Sequence, residues 1–133
     1  MNDAQHSAYS AYLRTLADAL LLRDWEIELL REWADDHTYA QAMVFHQENH
    51  LRIKVREGIG GSPPADVREW LTHEILHAHL GRLDRIKDHL VEIKDDDASK
   101  LFDKEYSDES EVVVQRLARI IAPFLPLPPD VPE

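Results

Sequence analysis

The segment His73-Glu74-Ile75-Leu76-His77 constrains this chain most, because it places two histidines four residues apart. On an α-helix such residues share a face, so both imidazoles can point at one metal ion. Glu74 lies about 100° further round the helix, where it is badly placed as a ligand but well placed to accept a proton from water. The pattern predicts a helix that binds Zn²⁺ through His73 and His77, with Glu74 as the general base.

The residues around this segment predict that the helix is largely buried. Apolar residues recur at helical spacing on one side of it, at Val67, Leu71, Ile75 and Ala78. Buried polar side chains need partners, and a metal ion supplies one for two histidines and a glutamate. The alternative is a pair of core or surface histidines beside a solvated glutamate.

Length and composition limit the number of domains, the possible metal ligands and the kinds of partner. With 133 residues the chain matches one ordinary domain, predicted over residues 1–133. It contains no cysteine, so thiolate metal ligands are excluded, and His, Asp and Glu are the strong zinc ligands that remain. The formal net charge of −11 opposes binding to a nucleic acid backbone. The start lacks a basic segment and no apolar run approaches about 18 residues, so we expect a cytoplasmic protein with no membrane contact.

Hydrophobic spacing predicts an N-terminal helix at residues 8–22 and then three short strands. Residues 47–49 have the length of a hairpin turn between the second and third strands. The strands are predicted from alternating apolar residues, which are Trp25, Ile27 and Leu29 in the first, Ala40, Ala42 and Val44 in the second, and Leu51, Ile53 and Val55 in the third.

The second half of the chain is predicted to be helical. The metal-binding helix is expected to start near Pro64 and to end at Gly81, followed by a helical piece over residues 83–93 and a solvated loop at residues 95–99. A last helix is expected over residues 109–122. Its predicted apolar stripe is Val113, Val114, Leu117, Ile120 and Ile121. The fold class is therefore α+β, with a proline-rich tail at residues 123–133 that is extended and either packed on the domain or leaving it.

A catalytic zinc ion normally has three protein ligands, so His73 and His77 need a partner. His79 is two residues beyond His77, on roughly the opposite side of the helix. His89 and Asp84 remain open as ligands. On the last helix, helical phase alone puts Glu109 nearer the apolar stripe than Glu111.

The order of helix, three-stranded sheet, His-Glu-x-x-His helix and later acidic helix resembles the compact gluzincin-type metallopeptidases. It is more closely similar to the small zincin-like metallopeptidases that bacteriophages encode, which are similar to the repressor-cleaving peptidases of mobile elements. The resemblance covers most of the chain, and its specific residues are His73 to His77 and the run Glu111-Val112-Val113-Val114-Gln115-Arg116-Leu117-Ala118.

This resemblance implies a zincin-like fold and a zinc-dependent peptidase that acts on a peptide or protein substrate lying along a sheet edge. It implies that Glu111 is the third zinc ligand, with Gln115 behind it in place of the commoner Asp. If the protein is phage-encoded, its compartment is the host cell cytoplasm.

Two other functions fit parts of the sequence. One is a non-catalytic adaptor or regulatory module stabilised by zinc, although such a module needs no base at Glu74. The other is a metal-dependent RNA nuclease, which the negative charge disfavours. For the peptidase, Tyr106 and His37 are candidates for the group that stabilises an oxyanion.

Overall fold

The structure is a computed structural model that describes residues 1–130. Its elements in chain order are α1 (Asp3–Ala19), β1 (Glu26–Leu29), β2 (Ala40–Phe45), β3 (His50–Val55), α2 (Pro64–Lys94) and α3 (Asp97–Ile121), with 3-10 turns at Ile59–Gly61 and Ala122–Phe124. Three helices and a small mixed sheet within residues 1–130 confirm the predicted α+β class. In the same range, no helix combines the length and the apolar run that crossing a membrane requires.

The three strands form one sheet in the order β1-β3-β2. β1 pairs with β3 in parallel and β2 pairs with β3 antiparallel, so the predicted hairpin between β2 and β3 is confirmed. Along β3, Leu51, Ile53 and Val55 are buried and alternate with half-exposed residues, which is the pattern of a strand with one face on the core. β2 is an outer strand of this sheet, and α2 packs beside it.

α1 begins at Asp3, five residues before the predicted start. The difference arises from a capping box that the apolar pattern does not reveal, because the Asn2 side chain accepts from the Gln5 N–H and the Gln5 side chain bonds the Asn2 backbone. The helix ends at Ala19 rather than at residue 22. Leu13 and Leu16 of this helix are fully buried in the main core.

The prediction that the metal-binding helix stops at Gly81 is wrong. α2 starts at Pro64 as expected but runs without interruption to Lys94. Gly81 is buried inside it, and an added Cβ would lie 2.7 Å from His46 Nδ1 and 2.9 Å from Val44 Cγ1. The glycine therefore allows β2 to approach the helix closely and does not cap it.

The predicted loop at residues 95–99 is also wrong, as is the start of the last helix at residue 109. Asp95, with φ 34°, ends α2, and Asp96 already caps α3 through a capping box with Ser99. α3 therefore begins at Asp97, twelve residues early. The capping bonds explain how three adjacent carboxylates can form a sharp junction between two helices, with Asp96 and Asp97 at the positive end of α3.

The apolar stripe predicted for α3 is only partly buried. Val114 and Ala118 are fully buried against Leu76 of α2, whereas Val113, Leu117 and Ile120 are 46%, 38% and 65% exposed. Among residues 1–130, α2 is the element that packs most extensively on α3, and it covers only a narrow strip of the α3 surface along this stretch.

The chain after α3 packs on the domain as an extended segment, one of the two arrangements expected for the tail. The Tyr12 hydroxyl donates to the Pro126 carbonyl at 2.8 Å, and Arg68 donates to the Leu125 carbonyl at 3.0 Å. Residues 131–133 of the predicted tail lie outside the described residues.

Candidate metal centre

His73 and His77 lie on the face of α2 that looks away from the core. Leu71, Ile75 and Ala78 on the opposite face are buried in the main core, which fixes the rotation of the helix. The two imidazoles are partly exposed and their Nε2 atoms are 3.1 Å apart. The four-residue spacing therefore brings both nitrogens to one point, as predicted.

Glu111 of α3 reaches both histidines. Its Oε2 lies 3.2 Å from His73 Nε2 and its Oε1 lies 3.1 Å from His77 Nε2. Glu111 precedes Val114 by three residues and Ala118 by seven, so it shares the side of α3 that packs on α2. Glu109 is exposed and is not one of the three clustered donors.

The donors of His73, His77 and Glu111 all lie within 4.8 Å of one another, so this group could hold a metal ion. Donors about 2.0–2.1 Å from a tetrahedral zinc ion are about 3.3 Å apart. The nitrogen-to-nitrogen and nitrogen-to-oxygen distances of 3.1 and 3.2 Å are close to that value. The spacing of the three donors thus fits a small divalent cation.

The other predicted ligand candidates lie outside this cluster. His79 bonds the Leu20 carbonyl through Nε2 at 2.8 Å, on the side of α2 that faces α1. Asp84 lines the same cleft but accepts a hydrogen bond from Tyr106. His89 lines a neighbouring cleft of about 300 Å³.

Glu74 is the most deeply buried carboxylate near the donors. Burial raises its pKa to about 7, the nearby charge of Glu111 adds to the rise, and a hydrogen bond from the Ala42 backbone opposes it. Burial also lowers the pKa of His77, an effect larger than the opposing influence of the Glu111 charge. Neutral imidazole is the form that can bind a metal.

The donors open into a cleft of about 670 Å³ between β2, α2 and α3. Of the two candidates for stabilising an oxyanion, His37 lines this cleft, whereas Tyr106 does not and instead bonds Asp84. Gln115, expected behind Glu111, donates to Glu69 Oε1 at 2.7 Å and also lines the cleft.

Two features of the site were missed at the level of sequence. His73 Nδ1 is buried without a hydrogen-bond partner among the described residues, although metal-binding histidines usually donate from that atom. Tyr39 and Trp70 form a stacked pair at the edge of the cleft, with ring centroids 4.0 Å apart. Trp70 precedes His73 by three residues, a helical spacing that could have indicated it.

Comparison with known proteins finds no family model, curated protein or solved structure that matches this chain significantly.

Proposed function

We propose that this protein is a zinc-dependent peptidase of the zincin-like, gluzincin type that hydrolyses a peptide bond in a peptide or protein substrate. The observation that carries the proposal is the cluster of His73, His77 and Glu111 donors, which opens into a cleft beside the carboxylate of Glu74. A phage origin and the host cell cytoplasm as its compartment belong to the same proposal, through the resemblance alone.

The donor set supports zinc in particular. Two imidazoles and one carboxylate with an open side are a ligand set of catalytic zinc sites, whereas magnesium and calcium prefer oxygen ligands alone. A zinc ion held by these residues would supply a Lewis acid, which acidifies water and polarises a carbonyl group.

The protein's own groups account for the proton transfers. Glu74 follows His73 directly and lines the cleft. In the proposed reaction its carboxylate accepts a proton from the attacking water and then passes it to the amine leaving group. The hydrogen bond from the Ala42 backbone holds the carboxylate in place. Because Ala42 belongs to β2, the outer strand positions the base.

The test combines metal analysis with an activity assay on a peptide library from a digested proteome. The wild type should retain one zinc ion per chain, and His73→Ala and His77→Ala should each lose it on dialysis against a weak chelator. Glu74→Gln should keep zinc and the fold but lose most cleavage, roughly 100-fold or more, because an amide cannot accept the proton. Equal turnover by wild type and Glu74→Gln would sink the assignment of the base.

A zinc-stabilised adaptor is the second candidate. It is favoured by a row of exposed apolar side chains along the distal half of α2, which are Leu83, Ile86, Leu90 and Ile93. An adaptor should bind zinc through the same residues but show no hydrolysis by the wild type. The activity arm of the experiment therefore separates the two candidates.

A further inference from the structure

The face of α2 that carries the metal donors continues towards the start of the helix with Trp70. Trp70 lies one turn before His73, about 4.5 Å along the helix axis at 1.5 Å per residue. One residue of an extended peptide spans about 3.3–3.6 Å. A substrate side chain one or two residues from the bond to be cut therefore reaches the position of this ring.

Tyr39 lines the cleft next to Trp70. It lies just before β2 and stacks on Trp70 with the two ring planes only 5° apart, yet it remains 46% exposed. Both rings line the cleft that holds the donors. Exposed aromatic surface inside a cleft is what a bound apolar group would cover.

Arg56 holds the ring pair in place. Its guanidinium lies 4.3 Å from the Tyr39 ring centroid and 5.5 Å from that of Trp70, and Nη2 donates to Ser62 Oγ at 3.0 Å. The Arg56 backbone N–H also donates to the Tyr39 carbonyl at 3.0 Å. Because the rings are already fixed, little conformational entropy is lost when a ligand packs on them.

The positive charge of Arg56, which packs on the ring pair, disfavours a basic side chain at this end of the cleft. Arg56 is positive and already occupies the cation-binding position beside the rings. The other end of the cleft is lined by Asp84, Lys87 and Asp88. The two ends therefore differ in chemistry, and the end near Trp70 suits an uncharged ring or a large aliphatic group.

We propose that Tyr39 and Trp70 form a specificity subsite that binds an aromatic or large apolar side chain of the substrate, within two residues of the bond cleaved. The role as a substrate subsite rests on the proposed peptidase function. Binding of an aromatic amino acid derivative to the ring pair can be measured without any cleavage.

The first experiment measures binding by NMR on the full chain with excess zinc. Indole N–H signals of Trp25, Trp33 and Trp70 are followed while N-acetyl-phenylalaninamide is added, with the Trp70 signal identified from Trp70→Phe. We expect the Trp70 signal to shift while those of Trp25 and Trp33 stay, and N-acetyl-alaninamide and N-acetyl-lysinamide to bind at least roughly tenfold more weakly.

Tyr39→Ala should weaken the binding of N-acetyl-phenylalaninamide by roughly fivefold or more. Phe102→Ala is the matched control, since Phe102 is 41% exposed on α3 and does not line the cleft, and it should change nothing. An equal response to the alanine derivative, a preference for the lysine derivative, or unchanged binding by Tyr39→Ala would overturn the subsite.

The second experiment uses the peptide library. Wild-type cleavage sites should be enriched in Phe, Tyr, Trp or Leu at one fixed position, and Tyr39→Ala should lose that enrichment while still cutting other peptides. Cleavage without such a preference contradicts the subsite and leaves the peptidase intact. Binding of the phenylalanine derivative at Trp70 with no cleavage by the wild type instead contradicts the peptidase and limits the ring pair to a ligand-binding role.

Discussion

Glu111 and Glu109 lie two residues apart on α3, but their surroundings differ. Glu111 shares the helix side of Val114 and Ala118, which are fully buried against α2, so packing directs its carboxylate at the two histidines. Glu109 is exposed. A difference of two residues on a helix is about 200°, which is enough to separate a carboxylate that reaches both histidines from one that only faces solvent.

Replacing Glu111 by Ala should weaken zinc binding at least tenfold, because it removes a charged ligand from a site with three protein donors. Glu109→Ala is the internal control and should leave zinc affinity within about twofold. Competition with a chelating dye measures both. Loss of zinc from Glu109→Ala with retention by Glu111→Ala would contradict the assignment.

At the scale of elements, the contact between α2 and β2 depends on Gly81. Gly81→Ala should improve helix propensity by about 1 kcal/mol, but the new methyl group would overlap His46 and Val44, and overpacking of this kind costs about 1–3 kcal/mol. We expect a net loss of up to about 2 kcal/mol in the free energy of unfolding, measured by urea denaturation. The loss should be smaller in a His46→Ala background, and a gain in stability from Gly81→Ala alone would show that the contact is not tight.

At the end of α1, by contrast, introducing a glycine should stabilise the fold. Leu21 follows the helix with φ 62°, a left-handed conformation that costs an L-residue about 1–2 kcal/mol, and its side chain is 80% exposed. Leu21→Gly should remove that strain and raise the free energy of unfolding by about 0.5–1 kcal/mol, after the greater flexibility of glycine in the unfolded chain is included. Leu21→Ala keeps the strained conformation, so a similar gain from alanine would point to another cause.

At the scale of the whole molecule, a metal ion at the site would join α2 to α3. The helices also meet there through a small apolar cluster made of Leu76, Val114 and Ala118 and through polar contacts such as the Gln115–Glu69 hydrogen bond. Binding to the folded state alone stabilises it by mass action, about 2.7 kcal/mol at a free zinc concentration 100 times the Kd. For a chain of this length we expect a rise in Tm of roughly 10 °C.

Differential scanning calorimetry with and without zinc checks this expectation, with Glu111→Ala as the variant that should show little shift. A wild-type Tm that does not respond to zinc would contradict a metal site that bridges the helices. An equal shift in Glu111→Ala would place the stabilising zinc elsewhere.

Local sequence patterns were sufficient to predict the hairpin and the pair of histidines. The hairpin of β2 and β3 follows from the alternation of Ala40 to Val44 and Leu51 to Val55, and the convergence of His73 with His77 follows from helix geometry. Both patterns act between residues that are close along the chain. The prediction that Glu111 joins the two histidines came from resemblance, whereas helical phase alone favoured Glu109.

Tertiary structure decided the rest, because it depends on which surfaces meet. The sequence predicts a helix end at Gly81, but in the structure this glycine lies inside α2 and gives room to β2. The sequence also predicts that Val113 is in the core, but α2 covers only the side of α3 that carries Val114. The stacking of Tyr39 on Trp70 joins the residue just before β2 to a position in α2 that is 31 residues further along the chain. No periodicity encodes such contacts. The sequence therefore determined the convergence of the two histidines, whereas the packing of β2 and α3 on α2 formed the cleft around them.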